Sequence, residues 1–222
     1  MRLGQWVPSC VVTLSLLLAG TAQAGVVANL LTNGSFESPD VAAGAETGGS
    51  TGWGSFNSTF TNQAFPAQDG EQTLKVFGPF FHGGGSGVVQ GGFVASAGQT
   101  WEANAFLRNP STDAIGQNNF AVVKVEFLNG SNAVIGAFES SQFNSTSPTD
   151  VWTPMGVQGI APVGTATAQI VLVHVQLDPV DGGSVLFDNA SFGLATPIPE
   201  PSVGLIGLAM LGGIAVRRRR SL

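Results

Sequence analysis

ATAQIVLVHVQL, residues 166–177, is a largely apolar run of strand length, broken by neither Gly nor Pro. In an extended chain successive side chains point to opposite faces, so Leu172, His174 and Gln176 share one face. The same period of two recurs in TLKVF (73–77), GVVQGGFV (87–94), TWEANAFL (100–107), FAVVKVEFL (120–128), AVIGAF (133–138) and SVLFDNASF (184–192). Gly, Asn, Ser and Pro separate these runs, which is the punctuation of turns. Asn129-Gly130 between two of them signals a hairpin with a four-residue loop. The body carries no helical stripe and no internal repeat, and residues 42–72, rich in Gly, Ser, Thr and Asn, are its least ordered stretch. Many short strands with regular turn signals predict an all-β fold, a two-sheet antiparallel sandwich.

The two ends read differently from this body. Met1-Arg2, the apolar Val11–Gly20 and the small-residue site Ala22-Gln23-Ala24 form the pattern of a secretory signal peptide cut after Ala24. That predicts passage through the Sec translocon and cleavage by signal peptidase. Cys10, the single cysteine, falls inside this segment, so the domain expected over residues 25–196 has none and must hold itself by core burial or a metal. Residues 25–196 carry three basic and 13 acidic side chains, a formal charge of −10. Such a surface repels phosphate backbones and disfavours nucleic acid, while remaining compatible with neutral sugars and divalent cations.

At the other end, Pro197-Ile198-Pro199-Glu200-Pro201 can neither continue a helix nor pair in a central strand. Val203–Val216 follows without a charge. As a helix it spans about 21 Å, short of the roughly 30 Å of a bilayer core. Arg217, Arg218, Arg219 and Arg220 then sit at the cytoplasmic leaflet by the positive-inside rule. Pro199-Glu200-Pro201, an apolar Gly-rich helix and a terminal Arg cluster, in that order, resemble the PEP-CTERM sorting signal of Gram-negative bacteria. The resemblance covers residues 197–222. It implies a transient hold in the inner membrane, cleavage by an exosortase, and export to the cell surface or an extracellular polysaccharide matrix.

The body carries a second resemblance. LLTNGSFESP…GW (30–53), DGEQTLKVFG (69–78), VWTPMGV (151–157) and VLFDNASF (185–192) occur in this order in jelly-roll modules and are similar to the galactose-binding-like superfamily of carbohydrate-binding modules. The resemblance implies a jelly-roll sandwich with its first and last strands side by side. It also implies a structural calcium held by Glu37 and Asp188, with carbonyls of Ser35 and Lys75. Calcium takes six to eight oxygens, so two carboxylates with main-chain partners suit it; the alternative is that both acids face solvent or cap turns. DPVDGG (178–183) lacks the spacing of an EF-hand loop and reads as a turn.

If strands 100–107, 120–128 and 166–177 are neighbours, Phe106, Arg108, Lys124, Glu126, His174 and Gln176 gather on one surface. Polar groups with an aromatic on a concave sheet suit a polysaccharide partner. The solvated side of an ordinary antiparallel sheet alternates in the same way. Trp101 and Trp152 read as core anchors, with Trp53 open between core and sugar stacking. Gly48-Gly49-Ser50-Thr51-Gly52 and His82-Gly83-Gly84-Gly85 match pieces of hydrolase motifs, but the serine lies in a low-complexity loop without the strand and helix that a nucleophile elbow needs. Two histidines, His82 and His174, make no zinc cluster. The expectation is therefore a non-catalytic exported protein. It is either an exopolysaccharide-associated binding module or a purely structural matrix component.

Overall fold

The computed structural model describes residues 28–62 and 64–195. The expected signal peptide (1–24) and sorting segment (197–222) lie outside these residues.

Among the described residues, twelve strands form two antiparallel sheets. They are β1 (Glu46–Gly48), β2 (Gly54–Phe56), β3 (Thr59–Asn62), β4 (Thr73–Phe77), β5 (Gly84–Val94), β6 (Thr100–Arg108), β7 (Asn119–Leu128), β8 (Val134–Glu139), β9 (Phe143–Asn144), β10 (Thr153–Ile160), β11 (Thr167–Gln176) and β12 (Ser184–Leu194). Sheet I runs β1-β3-β4-β12-β6-β10, and sheet II runs β2-β5-β11-β7-β8, with β9 also on β7. From β4 through β7, and again from β10 through β12, each successive strand lies in the other sheet. This alternation is the jelly-roll sandwich.

Seven of the strands coincide with the period-two runs to within a few residues. Their alternation fills the space between the sheets: Leu74, Val76, Trp101, Leu107, Phe187 and Phe192 from sheet I meet Val88, Val123, Val125, Phe127, Ile170 and Leu172 from sheet II. Each such side chain contributes about 1.5–3 kcal/mol on leaving water. Trp101 packs on Phe192 with ring centroids 5.1 Å apart. The short strands β1, β2 and β3 fall inside residues 42–72, where no apolar alternation announces them. They form because longer neighbours offer them an edge: β2 adds to β5, and β3 adds to β4.

The 129–133 connection is a hairpin loop of five residues rather than four. The Asn129 side-chain oxygen accepts the N–H groups of Ser131 (2.9 Å) and Ala133 (3.0 Å), and the positive φ falls on Asn132 rather than Gly130. Trp53 and Trp101 are core residues; Trp152, expected there too, is only half-buried.

The ends of the described chain lie together. Leu30 donates to the Phe192 carbonyl (2.9 Å), and Ala195 donates to that of Thr100 (3.0 Å). The β4–β5, β6–β7 and β11–β12 connections sit at the opposite end, around Phe77 and Ser184, the first registered pair of β12.

Candidate functional site

The six residues expected on one face fall in three places. Phe106 and Arg108 are on β6 in sheet I; Lys124 and Glu126 are on β7 in sheet II. His174 and Gln176 are on β11 beside β7, but in the other phase, buried between the sheets with Ile170 and Leu172. The physical reason is that both phases of 167–176 are apolar. Ile170 and Leu172 alternate with Val171 and Val173, and Lys124 pairs with Val171, not with His174. Burial lowers the His174 pKa to about 4, opposed by the charge of Asp113.

On sheet I, the segment Phe65–Asp69 crosses the outer face. Arg108 Nη1 donates to the Pro66 carbonyl (3.2 Å), and Nη2 pairs with Asp150 at 3.0 Å. Asp188 Oδ2 accepts the N–H groups of Gln68 (2.7 Å) and Asp69 (3.1 Å), while Oδ1 accepts that of Asn189 (2.6 Å). Glu37 Oε1 accepts the N–H groups of Glu71 (3.0 Å) and Gln72 (2.9 Å). Leu186, whose neighbours Val185 and Phe187 point into the core, is fully buried on this outer side.

Glu37 and Asp188 thus converge on one loop, and the segment around Gly34 lies beside the end of β12, with Ala190 donating to the Gly34 carbonyl (2.8 Å). Burial pushes the Asp188 carboxyl up to about 6; its three main-chain donors pull it down, and the Glu37 charge adds to the rise. A buried carboxylate whose pKa is raised beside a second acid is chemistry a calcium ion would relieve. Lys75 is registered with Leu186 and Phe60, and its ammonium meets Asp113 at 3.2 Å rather than the carboxylates. Among the described residues no three His, Cys, Asp or Glu side chains converge on an ion position, so an ion at Glu37 and Asp188 would draw on main-chain oxygens such as that of Ser35.

The outer face of sheet II is open. A trough of about 330 Å³ is lined by Phe56, Val89, Lys124, Glu126, Gln169, Val171 and Val173. Val171 and Val173 form its apolar bed, clustered with the buried Val122, with Phe56, Val89, Phe120 and Val175 packed around them. Gly87 makes room for this arrangement: a Cβ there would collide with the Leu172 carbonyl and stand 2.8 Å from the Phe56 ring. Lys124 Nζ lies 3.2 Å from Glu126 Oε1 and 3.1 Å from Glu139 Oε1, and Gln169 donates to Glu126 Oε2 (2.7 Å). Burial alone would depress the Lys124 ammonium; hydrogen bonds and charges from Glu139 and Glu126 outweigh it and raise the pKa. The polar bank therefore offers charged acceptors, a charged donor and an amide beside an apolar bed and an aromatic ring. Phe56, Gln169 and Glu139 escaped the sequence reading. Gln169 stood in the odd phase of 167–175, which became the outer one.

Ser50, the serine of the G-x-S-x-G match, is buried, with its hydroxyl between Asn33 Nδ2 (3.0 Å) and the Ser38 carbonyl (3.2 Å). Gly84 and Gly85 of the HGGG run open β5. In DPVDGG, Asp178 Oδ1 accepts the Val180 N–H (3.0 Å), which closes a turn.

No protein-family model and no curated protein sequence matches the chain. Among solved structures, a cyclase from Fischerella sp. TAU in complex with 4-(1H-indol-3-yl)butan-2-one is similar with a TM-score of 0.54 at 20% identity, over 78% of this chain and 98% of that one. The arabinose-bound MgGH51 α-L-arabinofuranosidase is similar at 0.53 and 19% identity over 77% of this chain, which spans 27% of that enzyme. TmCBM61 in complex with β-1,4-galactotriose aligns at 0.49 and 14% identity, over 75% of this chain and 99% of that one. The likeness to the first two, at this level of identity, shows a shared fold.

Proposed function

We propose that this protein is a non-catalytic, exported carbohydrate-binding module whose ligand, a neutral polysaccharide chain, lies in the trough on the outer face of sheet II. The observation that carries this reading is the combination, in one open trough, of an apolar bed with the Lys124–Glu126–Glu139–Gln169 bank. Sugars present alternating apolar faces and rims of hydroxyls, and such sites pair apolar or aromatic surface with a few fixed polar groups. The fold is also that of part of an arabinose-bound enzyme. The acidic body favours an uncharged partner over an anionic one.

The test is titration of the full-length chain with xylo-, gluco- and galacto-oligosaccharides. Binding that weakens in Gln169→Ala supports the trough. Absence of binding across a broad glycan array favours a purely structural matrix component instead.

Two further parts belong to this reading. Pro199-Glu200-Pro201 and Arg217–Arg220 direct an inner-membrane-held precursor to an exosortase, after signal peptidase has removed residues 1–24. The mass of the protein recovered from its host's surface tests both cuts at once; an uncut chain in the cytosol overturns them. Glu37 and Asp188 hold a structural calcium with main-chain oxygens, Ser35 among them. A melting midpoint several degrees higher in calcium than in chelator supports the ion, and equal midpoints refute it.

A further inference from the structure

At the loop end of the sandwich, on the sheet I side, lies a second cavity. It holds about 210 Å³ and is lined by Lys75, Phe77, Phe80, Asp113 and Gly183. The Phe77 and Phe80 rings form two of its walls, with centroids 6.1 Å apart and planes at 48°. Phe60 stacks on Phe77 at 5.6 Å and 6°, extending the aromatic surface. The polar lining is the Lys75–Asp113 pair, 3.2 Å apart, with the ammonium 5.9 Å from the Phe77 centroid and 5.6 Å from that of Phe65.

Phe80 is 58% exposed and holds φ +61°, a left-handed conformation that a bulky aromatic adopts only when its surroundings impose it. The imposing group is Gln176, which is fully buried. Its Oε1 accepts the Phe80 N–H (2.6 Å), and its Nε2 donates to the Asp181 carbonyl (2.9 Å). Gly183, at φ +94°, lets the β11–β12 loop press against Ala114, where a Cβ would collide with the carbonyl oxygen. A buried amide thus fixes a strained loop that leaves its phenyl ring in water beside a cavity. Burial of that ring does not repay the strain.

We propose that this cavity is a second saccharide site that takes a single uncharged pyranose ring, independent of the sheet II trough. A phenyl wall stacks on the apolar face of a sugar. The Asp113 carboxylate accepts from ring hydroxyls, and the Lys75 ammonium donates to them. Their charges cancel, which suits a neutral ligand. The volume, below the usual range of small-molecule pockets, fits one ring rather than an extended chain.

The test uses the full-length chain with methyl β-D-glucopyranoside and methyl β-D-galactopyranoside, followed by saturation-transfer NMR and titration. At least one glycoside should bind. Phe80→Ala and Asp113→Asn should each weaken binding about tenfold, and Gln169→Ala in the trough should leave it unchanged. Phe80→Ala should not lower the melting midpoint, since it removes an exposed ring. The proposal is overturned if the unaltered chain binds neither glycoside, if both pocket variants bind as well as it does, or if Gln169→Ala abolishes the binding. Loss of oligosaccharide binding in Gln169→Ala alone speaks only to the trough.

Discussion

The two outer faces of the sandwich begin alike and end differently. Each presents charged side chains at mid-sheet: Lys75, Arg108 and Asp188 on sheet I, Lys124 and Glu126 on sheet II. On sheet I Arg108 and Asp188 face a crossing segment and are spent on it, through the Arg108–Pro66, Asp188–Gln68 and Asp188–Asp69 bonds, while Lys75 pairs with Asp113. On sheet II none of the described residues crosses the centre, and among them Lys124, Glu126 and Gln169 bond to one another and to Glu139 around an open trough. Outward polarity on a strand is therefore ambiguous. A loop elsewhere in the chain decides whether it serves architecture or recognition.

The sharpest way to break this contrast is to unfasten the covered face. Asp188→Ala leaves three main-chain N–H groups without their acceptor. An unpaired buried donor costs about 1–3 kcal/mol; Gln68 is half-buried while Asp69 and Asn189 are exposed, so water recovers part of the cost and chemical denaturation should show a loss of about 3 kcal/mol. A loss below about 1 kcal/mol would mean that the carboxylate is not the clasp.

The interior behind the open face has its own weakness, which acid exposes. His174 has a folded pKa of about 4 against the usual 6.5, so below pH 6.5 the unfolded chain binds a proton that the folded one refuses. The His174 contribution should be complete above pH 6.5 and fall toward pH 4 by about 3 kcal/mol, opposed below pH 6 by Asp188, whose raised pKa lets the folded chain take up a proton before the unfolded one. His174→Leu should flatten that part of the pH profile, leaving whatever slope the carboxylates contribute.

Smaller is the effect on binding. Gln169→Ala should weaken oligosaccharide affinity about tenfold, about 1.4 kcal/mol, with the melting midpoint held. Glu102→Ala should change it little. Glu102 faces outward on sheet I and is held by Asn104 (3.0 Å) and Gln158 (3.1 Å). Equal losses from both variants would erase the distinction between the faces. Smallest of all, Glu139→Gln breaks a partly exposed ion pair and should shift stability by no more than about 0.5 kcal/mol.

How far the sequence could carry these conclusions differs between fold and site. The long strands were legible because alternation is a local property, and the register Lys124–Val171 or Leu186–Arg108 adds nothing needed to recognise them. Residues 42–72 were not, because β1 to β3 are too short to show an alternation and exist as additions to one another and to the longer β4 and β5. The trough was half legible. Lys124 and Glu126 stood out, but Gln169 and Phe56 reach them only through sheet order. His174 was assigned to the wrong side because valines fill one phase of β11 as densely as Ile170 and Leu172 fill the other, and alternation alone does not say which phase faces in. Glu37 and Asp188 were drawn together by resemblance, and the structure places both against one loop.

Leu30 and Ala195 leave the sandwich from the same side, and the eleven residues of β12 separate that side from Phe80, a rise of about 33 Å. A tether at either terminus would therefore hold the domain by its base, like a flag on a pole. The aromatic loops would stand at the summit, where they meet a distant surface first, while the trough runs along the flank, open to the side.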